Sequence, residues 1–282
     1  MEIFDRTKAI LFNPKEEWTV IEAENEPHTN VLFKYLLILA LIPTLAYFAG
    51  EYLGNRSSLN DYKEKGIEQI ENSYKSRLNS YNSNPDYIAG LTKAKNEEIA
   101  NFEKNAEESF LIMNPFSNLK WNIIFAVCLF GIILIGAYLS AAIINALSNQ
   151  FGSEKNFNKA FSLVAYSFTP FCIGGILYAF HSFASFVPYI GLYGLYLLYL
   201  GIEPQMKPAM DKKSTALVIS AVVFVGVWLL LARVAVPEIQ KKIMAEEYIS
   251  RDKKADPTLR IDDRTRGSYE KQAKLELENH KY

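Results

Sequence analysis

Cysteine and histidine are scarce in this chain, at two and three of 282 residues, and their placement removes several chemistries at once. Cys128 and Cys172 both lie in apolar runs, where a thiol is a small packing group, so disulfides report nothing about compartment. His28, His181 and His280 occupy three separate regions, with no second histidine, cysteine or carboxylate at ligand spacing. No zinc or di-iron motif assembles locally from them. A nucleophile elbow, a phosphate-cradling glycine loop and a dinucleotide fingerprint are also missing. The sequence therefore predicts no catalytic residues, no cofactor-binding residues, no metal ligands and no enzyme. Basic residues are not in excess either: 30 Lys and Arg face 31 Asp and Glu, with no basic stripe on one segment. That balance argues against nucleic acid as a partner.

Charge itself is missing from two long stretches, and here the sequence becomes informative. Mean hydropathy is near zero, but Trp121 to Ser153 and Ala160 to Ile202 contain no Asp, Glu, Lys or Arg. A soluble core helix exposes a polar face every few residues, so only a segment without an aqueous face stays uncharged for that long. Lipid is the solvent this pattern implies. A hydrocarbon core about 30 Å thick needs roughly 20 helical residues, and only helices or closed barrels satisfy the backbone there. Five segments meet that length: 31–53, 121–147, 160–180, 184–202 and 215–236. The third and fourth come from one uncharged run, broken near His181, Ser182 and Pro188 and read as a tight hairpin. The expected fold is all-α, a polytopic transmembrane helical bundle of about five spans.

Orientation follows from lysine and arginine in the short loops. Lys155 and Lys159 lie between spans two and three, and Lys207, Lys212 and Lys213 between spans four and five. These loops are expected to be cytoplasmic, which puts the N-terminus with Arg6, Lys8 and Lys15 inside and the C-terminus outside. The first 30 residues lack a short apolar core with a small-residue cleavage site, so no removable signal peptide is expected. The bacterial inner (cytoplasmic) membrane is the expected location.

Segment 1–30 carries Ile3, Phe4, Ile10 and Leu11 at near-heptad spacing, then Asn13, Pro14 and Glu16 as a helix start, then Trp18 and Ile21. It reads as an amphipathic cytoplasmic helix lying in the headgroup region. Segment 54–120 is the largest aqueous stretch. Leu59, Tyr62, Ile67, Ile70, Tyr74, Leu78 and Tyr81 form one helical stripe, and Ile88, Leu91, Ile99, Phe102, Ala106 and Met113 another. Asn82, Ser83, Asn84 and Pro85 separate them as a turn, giving an extracytoplasmic helical hairpin with an apolar seam. Segment 237–282 is a charged C-terminal tail that is expected to begin as a helix and end in disorder.

Charged residues at mid-span would mark a proton path, but Lys34, Glu51, Glu203 and Arg233 all fall near span ends, where anchoring explains them. Pro43, Pro170, Gly174 and Gly175 interrupt helices as discontinuous transporter helices do. Gly136, Ala137, Ser140 and Ala141 give span two small residues at four-residue spacing, a sign of close helix approach. Tyr189, Tyr193, Tyr196 and Tyr199 mark span four, as packing groups with bonded hydroxyls or as the lining of a pocket.

The wording of spans three and four, KAFSLVAYSFTP from Lys159 to Pro170 and GLYGLYLLYLG from Gly191 to Gly201, resembles the Yip family of Ypt/Rab-interacting proteins. NPKEEW, from Asn13 to Trp18, is similar to the approach to span one in bacterial members. The resemblance implies five spans with a cytoplasmic N-terminus, and it carries over no catalytic or ligand residues. Tyr166, Ser167 and Thr169 before Pro170 are the shared polar positions. Eukaryotic relatives act in vesicle traffic and bind small GTPases through a longer N-terminal region; the short segment and long hairpin here are closer to prokaryotic-type members. The expected function is a non-catalytic integral membrane protein that organises membrane or protein partners, with a transporter or lipid-handling protein as the alternative. Expected partners are membrane lipids and a protein at the hairpin or the N-terminal helix, with a homo-oligomer left open.

Overall fold

The computed structural model describes residues 2–80, 85–113, 118–256 and 258–279. All regular structure among them is helical. Five helical stretches are long and apolar enough to cross a membrane: His28–Asn79, Leu119–Phe151, Phe157–Ala179, Ser182–Met206 and Met210–Lys254. The all-α, five-helix architecture is the one the uncharged runs demand. Two compact units share the chain: Met1–Gly50 with Ile123–Tyr282, and Glu51–Asn122.

In the larger unit, α1 (Ile3–Phe12) and α2 (Pro14–Glu24) form a helical pair. Pro14 sits at the start of α2 as predicted, where its missing N–H costs nothing. Asn13 does not cap with its side chain; its amide donates to the Glu16 carboxylate instead. A short α3 (His28–Val31) passes through a π-turn, Leu32–Leu36, into α4 (Leu37–Ser80). Later in the chain come α6 (Leu119–Leu147), α7 (Phe157–Ser167) and α8 (Thr169–Gly174). The stretch expected as a tight hairpin is two 3₁₀ segments, Gly175–Ala179 and His181–Phe186, leading into α9 (Val187–Gly191). The Gly174–Gly175 pair, Pro188 and the closely spaced aromatics there favour tight turns over a regular helix. Then follow α10 (Tyr193–Met206) and α11 (Lys213–Leu230), and a second π-turn, Leu231–Ala235, joins α11 to α12 (Val236–Ala255).

The core of this unit is α7. All residues from Ala160 to Ser167 are buried, and Ile144, Phe151, Leu197, Leu198 and Ile202 close around it with no exposure above 1%. The small stripe of α6 does what its spacing predicted. Ala137, Ser140 and Ala141 are fully buried, and a methyl added at Gly136 would lie 2.8 Å from the Trp228 ring. Trp228 in turn stacks on Phe168, with ring centres 4.1 Å apart and planes 8° apart. Pro43, expected to interrupt its helix, instead lies inside the continuous α4, and a methyl at Gly175 would fall 2.4 Å from its Cβ.

The C-terminal segment departs from expectation. Its second half is a helix, α13 (Asp263–Asn279), paired with α12. Ion and hydrogen-bond pairs Tyr248–Glu276, Tyr269–Asp252 and Arg266–Glu246 link the two. Ile243, Met244, Ile249 and Ala273 are buried in this part of the chain.

In the smaller unit, the C-terminal part of α4 pairs with α5 (Pro85–Met113). Tyr62 packs on Phe102 and Phe110, with ring centres 5.7 and 5.9 Å apart, and Gly66 leaves room for the Phe102 ring. Tyr74 donates to Glu98 at 2.8 Å across the pair. The helical stripes therefore do serve as a seam. Of the expected turn, Asn82, Ser83 and Asn84 lie outside the described residues, as does Tyr81 of the first stripe, and Pro85 opens α5.

Candidate functional site

The polar groups of the larger unit converge where α1 and α2 meet the break between α7 and α8. Amphipathic spacing gives α2 one buried face, formed by Glu17, Trp18 and Ile21, and Pro14 joins it. Trp18, expected at headgroup level, is instead 1% exposed. Its ring lies edge-on to Tyr166, centres 6.1 Å apart, and rests where a side chain on Gly201 would stand. Only glycine at that position lets α2 seat against α10.

Beside this contact Arg6 is 5% exposed and pairs with both Glu17 and Glu24. Its guanidinium also lies 5.8 Å from the centre of the Tyr166 ring. Burial alone would lower the Arg6 pKa, but Tyr166, Glu17 and Glu24 together hold it above its ordinary value. A buried Arg6–Glu17 pair, extended by the exposed Glu24, holds only when its partners stay hydrogen-bonded, so α1 and α2 are tied into one body.

The shared polar positions lie directly under the triad. The Thr169 hydroxyl donates to the Tyr166 carbonyl at 2.7 Å. With its one proton so used, Thr169 accepts from the Tyr35 hydroxyl, also at 2.7 Å. Ser167 contributes its backbone: a methyl on Gly194 would come 2.4 Å from the Ser167 carbonyl oxygen, so α10 crosses very near the end of α7. At the helix break at Phe168, Thr169 thus serves the Tyr166 carbonyl and takes a hydrogen bond from span one, while the Ser167 hydroxyl is buried without a partner among the described residues and aromatic rings close the other side.

The other predicted residues are dispersed. Tyr193 donates to the Leu11 carbonyl at 2.8 Å and so fastens the end of α1. Tyr189, Tyr196 and Tyr199 point outward, with exposures of 70%, 44% and 50%, and line no pocket with it. His28 uses its backbone N–H and Nδ1 to reach Asn158 Oδ1, at 3.0 and 2.7 Å, linking α3 to α7. Lys34 and Arg233 are exposed within the two π-turns, Glu203 pairs with Lys213, and Glu51 opens the smaller unit. His280 lies outside the described residues. No cluster of three potential metal ligands occurs among the described residues.

One open groove, about 550 Å³, borders the docked pair. Lys15, Trp18, Thr19 and Glu22 of α2 form one wall; Leu200, Glu203 and Pro204 of α10, with Lys207 and Pro208, form the other. Lys207 pairs across it with Glu22 at 2.6 Å. Sequence reading did not foresee either the triad or this groove. The signal was there in weak form: Glu17 and Glu24 lie two turns apart on one face of α2, and Lys15, Thr19 and Glu22 form a neighbouring stripe.

No curated protein and no solved structure matches the chain significantly. The family model of the Yip1 domain matches residues 8–232, a range that takes in α2, the first four apolar stretches, the start of the fifth and the polar break in span three. With that match on an all-α fold with five apolar helices, the chain is an integral membrane protein belonging to the Yip1 domain family.

Proposed function

We propose that this protein is a non-catalytic organiser of its membrane, which gathers lipid or protein partners on preformed helical surfaces. Its N-terminus faces the cytoplasm of a bacterial cell and its C-terminus the far side of the inner membrane. The observation that carries this reading is the use made of its buried charge: the buried Arg6 and Glu17, joined by the more exposed Glu24, fasten helices to one another. A helix pair fixed in this way offers partners a surface whose ordering entropy is already spent, which favours binding. The smaller unit supports the same reading, because Tyr62, Phe102 and Phe110 pack within its own seam and leave charged helix faces outward.

Photo-crosslinking in native membranes tests it. Crosslinkers at exposed Thr19 of α2 and Lys93 of α5 are expected to give discrete lipid or protein adducts. Recovery of the bare monomer alone from both positions would refute the organiser reading. A lipid-handling role is the second reading, favoured by the groove beside α2. It predicts faster lipid movement in proteoliposomes than in empty vesicles, and equal rates would remove it.

A further inference from the structure

The groove between α2 and α10 carries a pattern of charge that selects among membrane components. On α10 the residues Tyr196, Leu200 and Glu203 follow one another at three- and four-residue steps, so they share one face. Lys207 follows just past the helix end. Tyr196 is exposed and Leu200 half-buried, and both belong to the uncharged run; Glu203 is the first charge after it. Within about 10 Å of helix rise this face passes from an aromatic, lipid-solvated zone to ionised side chains. That is the profile of the bilayer edge.

At this level two cations and two carboxylates face one another across the groove: Lys15 and Glu22 from α2, Glu203 and Lys207 from the α10 side. Lys207 is paired with Glu22 and Glu203 with Lys213, each through one carboxylate oxygen. Lys15 has no acidic partner within ion-pair distance among the described residues. Its ammonium is a ready site for a phosphate. Each carboxylate offers around four acceptor positions, so Glu22 and Glu203 keep capacity for further donors. An anion at Lys15 then has carboxylates as its nearest neighbours, an arrangement that repels a second negative charge and attracts a positive one.

We infer that this groove binds the headgroup of a zwitterionic phospholipid bearing a primary ammonium, a phosphatidylethanolamine. Its phosphate sits between Lys15 and Lys207, its ammonium donates to Glu22 and Glu203, and its acyl chains lie along Leu200 and Tyr196. A primary ammonium is required because its three N–H donors make charge-assisted hydrogen bonds to carboxylates, which a quaternary ammonium cannot make. The inference rests on the organiser reading and gives its lipid partner a chemical class.

Native mass spectrometry of the purified full chain, exchanged into equal mixtures of phosphatidylethanolamine, phosphatidylcholine and phosphatidylglycerol, tests it. The expected result is retention of phosphatidylethanolamine about tenfold over phosphatidylcholine, the equivalent of one good polar interaction. E22Q is expected to abolish that preference, whereas K15Q is expected to lower retention of both zwitterionic lipids, which share the phosphate that Lys15 holds. Lys15 is exposed, so K15Q leaves the unfolding midpoint unchanged and isolates binding from folding. Equal retention of the two zwitterionic lipids, preference for phosphatidylglycerol, undiminished preference in E22Q, or undiminished retention of both lipids in K15Q would each overturn the assignment. So would displacement by soluble glycerophosphoethanolamine at matched concentration, which would make the ligand a free metabolite. The organiser reading is scored separately, by adducts at Lys93 on the smaller unit. Adducts there without lipid preference sink the headgroup site alone.

Discussion

Arg6 shows what one buried side chain does for the N-terminal pair. Replacing it with methionine strands Glu17 with no cation at a site that water does not reach, a loss of about 3–5 kcal/mol for buried ion pairs. The double variant R6M/E17L should recover most of that loss, because two apolar groups fill the same space without an orphaned charge. Thermal unfolding in detergent measures both, and a single-variant loss below about 1 kcal/mol would mean that the triad is hydrated. Gly201 gives a second residue-scale outcome. G201V places a branched side chain where the Trp18 ring lies, at an expected cost of about 1–3 kcal/mol. It should release α2, read as faster proteolysis after Lys15. Neither effect was legible in the sequence. Arg6 counted there only as one of several inside-facing positive charges, and nothing local distinguishes Glu17 from Glu16, although one is buried and the other exposed. That distinction comes from Tyr166, far along the chain.

At the scale of the element, α13 is the instructive case. Its alternating acids and bases look like a solvated tail, and its order comes from partners that only a folded hairpin brings near: Glu276 for Tyr248, Asp252 for Tyr269 and Glu246 for Arg266. The helix begins under a local signal that the sequence does contain. The Thr265 side chain, and then its N–H donating to Asp262 at 2.7 Å, hold the Asp262 carboxyl below the ordinary aspartate value. The sign follows directly. A carboxyl with a lowered folded pKa stabilises the helix start at neutral pH and loses that contribution as pH falls through the acid range below about 4. Hydrogen exchange in the first turn of α13 should therefore accelerate on acidification. In Asp262→Asn, which can accept the same bond without titrating, that step should vanish; persistence of the step would place the titrating group elsewhere. The seam between α4 and α5 was more legible, because Tyr62, Phe102 and their neighbours announce their helical face through spacing alone.

Across the whole molecule, the spans were the most readable feature, since a lack of ionised side chains over more than 30 residues has one physical meaning. What that pattern does not encode is where a span breaks. The interruption at Phe168 falls beside Pro170, as that proline announced, but the Tyr35–Thr169 bond that joins it to another helix is not in the local sequence. The sidedness read from loop lysines leads to a direct measurement. A cysteine at Lys93 should react with a membrane-impermeant maleimide in intact spheroplasts, and one at Lys155 only after lysis. The reverse pattern would invert the assigned orientation.

The seating of Trp18 against Gly201 also sets an order of events during synthesis. The indole leaves the ribosome 183 residues ahead of the glycine that receives it, a wait of roughly 10–40 s at ordinary translation rates. Through that interval the apolar face of the first two helices has no place to go, and a chaperone or the bilayer surface must shelter it. The nascent N-terminus is accordingly the stretch where a delay in elongation would expose this protein to misassembly.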